Sequence, residues 1–451
     1  MAPGDPIAGN PYKQLLKRFF ITFLLGVVIY RLGVIIPAPG IDVETLRAFM
    51  DQDEAGFAIL RWADMFNGGA ISNASIFGLG IMPYISASII FQLLTASYPA
   101  LKALQKEGEV GRRKIQQYTR YATVVICLMQ GGLASIALTR ITHDGANVVM
   151  VDNTAFFAIQ SALVVTTGSM ILLWIAEQIT KFGIGNGVSV VIMISILASM
   201  APAMTDMFQG SAGVDLVKFL GIVAMFIAII AGICMITLAR RHIHLEQQRR
   251  IQGNKVYGGG QTQLPLMINQ ANVIPVIFAS PVMVALVFLL TMLAGWAGIE
   301  TLGGLLDYDT PMYRYIFAAL IIFFTYFYIS ITFDLNDLAN HFKQAGFFVR
   351  GVRPGRNTVD YIRWRQRRVT FVGATTLALI AVSPGLIASG MEIGTNVANA
   401  VLGGVGLLIV VGVSLDIIQK TSAFLLANQY QGLMGQQGEP GGPRKGGGKR
   451  F

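Results

Sequence analysis

The sequence predicts an all-α polytopic membrane protein with ten transmembrane helices in two inverted five-helix halves. The chain is 54% hydrophobic and 13% charged, and its mean hydropathy is +0.59, which excludes an ordinary soluble domain. Ten apolar stretches have the length of about 20 residues that crosses the hydrocarbon core of a bilayer. One of them carries glycine and asparagine at its front end, which marks it as unusual.

The apolar stretches follow one another along the chain. Lys13, Lys17 and Arg18 precede the first, but no small-residue cleavage site follows, so we interpret it as a retained helix and not a secretory signal. The predicted spans are residues 18–36, 76–97, 119–139, 154–178, 184–205, 216–239, 271–294, 312–333, 370–389 and 398–418.

The distribution of basic residues predicts the orientation. With the N-terminus in the cytoplasm, 28 of the 34 lysines and arginines fall on the cytoplasmic side, as the positive-inside rule requires. The acidic residues divide the other way, with 14 of 24 outside. Because the number of spans is even, both termini are expected in the cytoplasm, and the net charge of +10 belongs to that face.

Ten spans divide naturally into five and five, and an odd number per half inserts the second half upside down. Inverted repeats of this kind place the working site at the midplane between the halves. The predicted division is 1–182 (spans one to four), 183–206 (span five), 207–418 (spans six to ten) and a Gly-rich cytoplasmic tail, 419–451.

The interrupted stretch covers residues 64–95. Asn67, Gly68, Gly69 and Asn73 stand at its front end, where a lipid-exposed backbone would be left without hydrogen-bond partners. Such residues are tolerated at membrane depth only when they are buried in protein or line a watery cavity. The stretch therefore predicts a pore or pathway.

Two cytoplasmic loops, 240–270 and 334–369, are longer than neighbouring helices need. Gly253-Asn254 predicts a hairpin in the first. In the second, a stiffened tip would present guanidinium groups to phosphates or carboxylates, which fits a large anionic partner such as RNA. Topology determinants lying on anionic lipid are the alternative, mainly near helix ends. The arginines concerned are Arg240, Arg241, Arg249, Arg250, Arg350, Arg353 and Arg356.

Catalysis is not indicated by this sequence. The four histidines lie in or beside loops, no HExxH or Walker lysine loop occurs, and His242 with His244 is a weak metal signal. Cys127 and Cys234 lie in different spans, so no disulfide is expected. We predict no catalytic residue, metal or cofactor, and an external source of energy.

Several segments resemble the SecY family of bacterial protein-conducting channels, and they keep their order over nearly all ten spans. They are residues 66–94, the loop 106–114 (KEGEVGRRK), 183–187 (GIGNG), 264–266 (LPL) with 273–275 (VIP), and 351–355 (GVRPG).

The resemblance implies a channel for unfolded secretory polypeptides that also releases hydrophobic segments sideways into lipid. It implies a re-entrant plug helix formed by Asp64, Met65, Phe66, Asn67, Gly68, Gly69, Ala70, Ile71, Ser72 and Asn73. It also implies a constriction ring formed by Ile81, Ile85, Val188, Ile192, Ile277 and Ile409. Branched aliphatic side chains resist wetting and offer a passing polypeptide no hydrogen-bond partner.

The same resemblance places a lateral gate between spans two and three and spans seven and eight, with polar contacts from Ser86, Gln92, Gln130 and Asn272. It implies SecE and SecG as small membrane partners, docking of the SecA motor ATPase or the ribosome on the basic loops, and signal peptides, nascent chains and membrane lipid as ligands. The expected location is the bacterial cytoplasmic membrane.

Two other classes of protein remain open on the residues alone. A secondary transporter of small solutes shares inverted repeats and broken helices, but it usually needs an ionisable group near the bilayer centre, and none is evident here. A membrane insertase without a central pore would need neither a plug nor a ring.

Overall fold

Long helices account for nearly all of the described chain. The computed structural model describes residues 11–50, 63–139, 142–143, 146–151, 153–208, 216–247, 250–252, 255–257, 261–297, 310–333, 335–353, 355–391 and 404–436. The helices are α1 (Pro11–Phe23), a π-helix (Leu24–Ile29), α2 (Tyr30–Ile35), α3 (Val43–Met50), α4 (Met82–Ser97), α5 (Pro99–Lys106), α6 (Glu109–Leu138), α7 (Thr154–Phe182), α8 (Gly187–Phe208), α9 (Leu216–Leu238), α10 (Ile274–Ala297), α11 (Pro311–Thr332), α12 (Leu335–Ala345), α13 (Arg356–Met391) and α14 (Gly404–Gln436).

Local signals in the sequence set several helix starts. Asn153, just before α7, accepts a hydrogen bond from the Phe156 amide at 3.2 Å. Thr310, just before α11, accepts one from the Tyr313 amide. Proline occupies the first turn of α4, α5 and α11, where its missing N–H costs no hydrogen bond.

The predicted spans fall on helices. Six helices in the described residues are long and apolar enough to cross a membrane, and a seventh candidate is the bent pair α4–α5, whose axes differ by 98°. Residues 187–202 of α8 and residues 274–287 of α10 are apolar helical segments that are shorter than a full span. The largest difference at a span edge is at residues 76–81, which are turns and not helix; residues 184–186 and 271–273 also precede their helices. Residues 398–403 lie outside the described residues.

Helix packing follows the same order in two sets of five. In the first set α6 packs on α4 and α7, and α7 packs on α8; in the second set α11 packs on α10 and α13, and α13 packs on α14. The sets meet where α4 contacts α10 and where α8 contacts α14. This repeated order of neighbours matches the predicted internal repeat.

One apolar cluster joins the two sets of helices. It contains buried residues from α2, α4, α7 and α8 of the first set and from α9, α10, α11, α13 and α14 of the second. Outside this cluster, many large apolar side chains are exposed, among them Phe20, Ile227 and Leu379. Exposed apolar surface on long helices is what a lipid-facing perimeter requires.

The two long loops predicted at 240–270 and 334–369 contribute strands to one small sheet. The described strands of the whole chain are β1 (Thr142–His143), β2 (Ala146–Asn147), β3 (Arg240–Gln247), β4 (Arg250–Gln252), β5 (Lys255–Tyr257), β6 (Gln261–Met267) and β7 (Phe347–Val349). The small sheet consists of β3, β6 and β7. β3 is central and pairs antiparallel with β6 and β7. β4 pairs antiparallel with β5, which confirms the predicted hairpin.

Two boundaries differ from the sequence-based expectation. The stretch 106–114 is only briefly a loop, because α6 already begins at Glu109. At the other end of the chain, α14 continues to Gln436, so no break in structure accompanies the predicted start of the tail at residue 419. In both cases polar residues continue a helix beyond the apolar span.

Candidate functional site

The segment before α4 folds back on itself between the helices. Residues 63–66 form one helical turn, and turns continue from there to residue 81. The expected re-entrant helix is therefore short within the described residues. Its compact shape depends on Asp64, whose Oδ1 accepts hydrogen bonds from the amides of Ile71 at 2.7 Å and Ser72 at 3.1 Å.

Asp64 is partly buried, and burial raises the pKa of its carboxyl group above the ordinary value of 3.8. The hydrogen bonds from Ser72 and Ile71 act in the opposite direction, because they favour the charged form. Because burial outweighs these hydrogen bonds, the pKa of Asp64 is raised, and its ionised carboxylate costs free energy in the folded segment.

Helices α2 and α8 hold the segment from outside. The Tyr30 hydroxyl donates to the Asn67 carbonyl at 2.8 Å, and the Ser199 hydroxyl lies 2.9 Å from the Met65 carbonyl. Arg47 of α3 donates to the Asn73 side chain. The segment is thus bound through its main chain as well as its side chains, which explains how polar backbone is satisfied at this depth.

Two glycines permit the close approach of this segment to its surroundings. Gly68 has φ +66°, and a Cβ atom there would lie 2.6 Å from the Tyr30 hydroxyl and 3.0 Å from the Ser195 carbonyl. Gly80 has φ +58°, and its Cβ would collide with the Asn67 amide. These positions require glycine for both backbone conformation and space.

The end of the segment runs beside the chain that follows α2. The Ala38 amide donates to the Ala74 carbonyl at 2.7 Å, and the Ile76 amide donates to the Ile36 carbonyl at 3.1 Å. The Ser75 hydroxyl adds a bond to the Gly33 carbonyl at 2.8 Å. This pairing replaces the helical hydrogen bonds that residues 76–81 were expected to make.

All six residues predicted for the ring belong to the central apolar cluster. Ile81 caps α4 and Ile85 lies in its first turn, while Val188 and Ile192 lie on α8. Five are buried, and Val188 is half-buried. Met65, Phe66 and Ala70 belong to the same cluster, so the folded-back segment and the predicted ring pack as one unit. Ile277 and Ile409 contribute from α10 and α14.

The four polar residues predicted for the lateral gate do not meet one another. Ser86 donates to the Met82 carbonyl and Gln92 to the Ser88 hydroxyl, so both hydrogen bonds stay within α4. Gln130 is exposed. In this conformation the hydrogen bonds of Ser86 and Gln92 are made one turn away in their own helix, and the role of the four residues at the lateral gate stays a prediction.

Asn272, the fourth gate residue, precedes α10 in a left-handed backbone conformation with φ +54°. Its side-chain oxygen is buried and has no hydrogen-bond partner among the described residues. It borders a narrow gap between α9, α13 and α14 that Asn269, Val273 and Gly412 also line. The gap lies within the second set of helices and not at the contact between α4 and α10.

The predicted docking arginines cluster around the small sheet. Arg240 and Arg241 lie exposed on β3, and Arg350 follows β7 with its Nε 3.8 Å from Glu246 Oε1. Arg353 is exposed in the turn before α13, and Arg356 begins that helix. Arg250 begins β4, and Arg249 lies outside the described residues.

Two features of the site escaped the reasoning from sequence. Tyr30 acts on a segment 37 residues away, a pairing that no local pattern signals. The pairing of β3 with β7 joins loops about 100 residues apart, although the alternation at Ile243 and Leu245 was a usable strand signal. Among the described residues no group of three or more metal-ligating side chains comes together.

Solved structures define the class of protein to which this fold belongs. A structure described as a protein-conducting channel matches with a TM-score of 0.64 at 17% identity, covering 95% of this chain and 96% of that one. A SecY structure concerned with the plug domain gives 0.59 at 17% identity over the same shares. Canine Sec61 in a ribosome–channel complex gives 0.58 at 16% identity, also covering 95% and 96%. The fold is that of protein-conducting membrane channels.

Sequence relatives place the chain more narrowly. The SecY family model matches residues 75–418. The protein translocase subunit SecY of Thermotoga maritima is 37% identical over 434 residues, covering 94% of this chain and 96% of the relative. That of Escherichia coli K12 is 36% identical over 424 residues, covering 93% and 94%. The chain belongs to the SecY family, which confirms the predicted fold class and the resemblance.

Proposed function

We propose that this integral membrane protein is the central channel subunit of a protein translocase, which passes unfolded secretory polypeptides across the membrane. One observation carries the proposal. The residues resembling the plug and those resembling the constriction ring share a single apolar cluster, to which both sets of five helices contribute. A path between the sets would run through that cluster. Its closed state would have the folded-back segment 64–73 as its stopper.

The ring chemistry suits a polypeptide cargo. Ile81, Ile192, Ile277 and Ile409 present branched aliphatic side chains that exclude water when packed together, which limits ion leak. The same side chains offer a passing main chain no hydrogen-bond partner. They also have no charge with which to select a small solute. The half-buried Val188 is smaller than its neighbours and would widen its side of the ring.

Lateral release would occur where α4 contacts α10, with Ser86, Gln92, Gln130 and Asn272 near that opening. A signal segment with about ten leucine-like residues gains roughly 3 to 6 kcal/mol on entering lipid. The hydrogen bonds of Ser86 and Gln92 stay within α4, so separating the helices would leave those bonds intact. The substrate itself could then supply the free energy of opening.

The exposed arginines around the small sheet are the proposed docking surface for a cytosolic partner. Arg241, Arg350 and Arg353 stand on two chain segments that the β3–β7 pairing holds together. A rigid basic surface fits rRNA or an acidic protein face. By family, the partners are the ribosome, the SecA motor ATPase, and the small membrane subunits SecE and SecG. The membrane would be the bacterial cytoplasmic membrane, with both termini in the cytoplasm.

Reconstitution tests this function directly. The purified chain with its small partner subunits in liposomes should protect an added secretory precursor from protease when the motor ATPase and ATP are present. Protection should be lost without ATP, since we infer no catalytic group and no cofactor in this chain. Absence of ATP-dependent protection would contradict the proposal. Uptake of a small solute driven by an ion gradient, without any cytosolic partner, would favour the transporter.

A further inference from the structure

The hydrogen bonds that hold the plug segment, residues 64–73, are unevenly distributed between the two sets of helices. Within the described residues, those that reach residues 64–76 from outside come from α2, the chain after it, α3 and α8. All of these belong to the first five-helix set. From the second set the described contacts are apolar: a Cβ built on Gly406 of α14 would lie 3.9 Å from Met65 Cε.

Tyr30 is the best-placed of these groups. Its side chain is 2% exposed, its ring stacks on Phe77 with centroids 6.3 Å apart, and its hydroxyl donates to the Asn67 carbonyl at 2.8 Å. A buried carbonyl that loses its donor keeps the cost of desolvation. The hydroxyl of Tyr30 therefore contributes to the seated position of the segment beyond the packing of its ring.

The helices on either side orient these donors. A π-helix (Leu24–Ile29) stands directly before Tyr30, and π-helical turns inside longer helices often occur at functional sites, where they shift the following residues around the axis. Gly26 of that π-helix packs against Ile194 of α8. One helical turn further along α8, the Ser199 hydroxyl lies 2.9 Å from the Met65 carbonyl and 2.8 Å from the Ile196 carbonyl.

We propose that Tyr30 and Ser199 are positioning residues that hold the plug closed by donating to its Asn67 and Met65 carbonyls, independently of the seam between α4 and α10. This proposal rests on the proposed function, because it assumes that residues 64–73 seal the channel. It assigns the strength of the resting seal to α2 and α8. The hydrogen bonds of Tyr30 and Ser199 come from the first five-helix set, and the described contact of Met65 with Gly406 of the second set is apolar.

Resting ion leak measures the seal. In liposomes holding the full chain with its small subunits, Tyr30→Phe should raise the leak about fivefold, as expected when one buried neutral hydrogen bond is lost. Ser199→Ala should raise it less, because this hydroxyl also has a partner in its own helix, and Ser199→Thr should restore the seal.

Two matched substitutions control for the loss of a hydroxyl group. Ser135→Ala removes a buried hydroxyl that bonds within α6 to the Gly131 carbonyl, and Tyr118→Phe removes one from an exposed ring that stacks on Phe91. Both should leave the leak unchanged. Thermal unfolding of every variant should stay within a few degrees of the parent, so that a general loss of packing is recognised.

The outcomes separate the two proposals. If deleting residues 64–73 leaves the channel tight, the plug assignment itself is wrong. If that deletion opens the channel but Tyr30→Phe does not change the leak, the plug stands and the anchoring role of Tyr30 is overturned. A leak that rises equally in Tyr30→Phe and in the two control variants would also overturn it.

Discussion

Asp64 shows how one residue can both build and weaken a closed channel. Its carboxylate closes the loop by accepting hydrogen bonds from Ile71 and Ser72, while burial raises its pKa and makes the charge costly. A displaced, hydrated plug would return this pKa to its ordinary value. Protonation of Asp64 therefore favours the seated plug over the displaced plug.

This linkage predicts a pH dependence. As the pH falls through the raised pKa toward 3.8, the seated plug takes up a proton that the displaced plug does not, so the resting ion leak should decrease. Above the raised pKa the cost of the buried charge is present in full. Leak measured in liposomes between about pH 7 and pH 4.5 checks the sign.

Substitution of Asp64 separates charge from hydrogen bonding. Asp64→Asn keeps an acceptor for the two amides without the charge, so its leak should be no higher than that of the parent at pH 7 and should lose the pH dependence. Asp64→Ala leaves two amides without their acceptor and should leak several-fold more. A parent leak that rises on acidification, in parallel with Asp64→Asn, would contradict this role.

Prediction from sequence succeeded where a residue type was unusual for its place in the chain. Gly68 and Asn67 were informative because a polar, glycine-containing stretch at membrane depth needs internal partners, and the structure supplies them. Tyr30 gave no such signal, since a tyrosine in an apolar span is usual near an interface. Its significance comes from a carbonyl 37 residues away, and only the tertiary structure shows that pairing.

At the scale of elements, the neighbouring helices α6 and α7 are joined by a specific ion pair. Arg120 Nη2 lies 2.6 Å and Arg120 Nε lies 2.7 Å from Glu177 Oε1. Both side chains are partly exposed, so solvent screening limits the contribution of the pair to about 1 kcal/mol. It lies close to Tyr84 of α4, so it fixes the ends of helices that border the proposed gate.

Glu177→Gln should lower the midpoint of thermal unfolding by about 2 °C, the shift that such a free-energy loss produces in a large domain. The matched control is Glu109→Gln, because the Glu109–Arg113 pair lies within one helix turn and is largely exposed. That control should not move the midpoint. Equal shifts in the two variants, measured in the same detergent, would show that the α6–α7 pair has no special role.

Arg353, beside the small sheet, is the most direct position at which to test the proposed docking surface. Arg353→Glu should abolish motor-driven translocation while the protein remains folded and inserted, because it reverses the charge at an exposed position beside β7. Arg112→Glu changes an exposed arginine at the start of α6, outside the sheet, and should leave translocation intact. Undiminished translocation by Arg353→Glu in the protease-protection assay would contradict the docking assignment.

The helices were predictable and the sheet was not, for a physical reason. A span of about 20 apolar residues is dictated by bilayer thickness, so a single segment such as α9 carries its own evidence. β3 pairs with β6 of its own loop, but the short strand β7 comes from the other loop, and its pairing with β3 depends on how the helices between them fold. Ile243, Leu245 and Val349 pack in one small cluster that neither loop could form alone.

At the scale of the whole molecule, the fold gives each half a distinct relation to the pore. The first five-helix set holds the plug segment through hydrogen bonds, the second covers it with apolar surface, and the two sets meet at α4 with α10 and at α8 with α14. The two loops that build the small sheet connect helices of the second set. A partner bound to the sheet could therefore act on the set that does not anchor the plug.

We propose that a polypeptide crosses this protein through the ring formed by Ile81, Ile85, Val188, Ile192, Ile277 and Ile409. A photoreactive residue placed singly at Ile81, Ile277 or Ile409, with a secretory precursor arrested partway through the reconstituted translocase, tests it most directly. We predict strong cross-links from these positions to the arrested chain, and none from Leu379, which is exposed on the outer surface. If cross-links are absent from the ring positions, or equally strong from Leu379, the polypeptide does not cross through this ring.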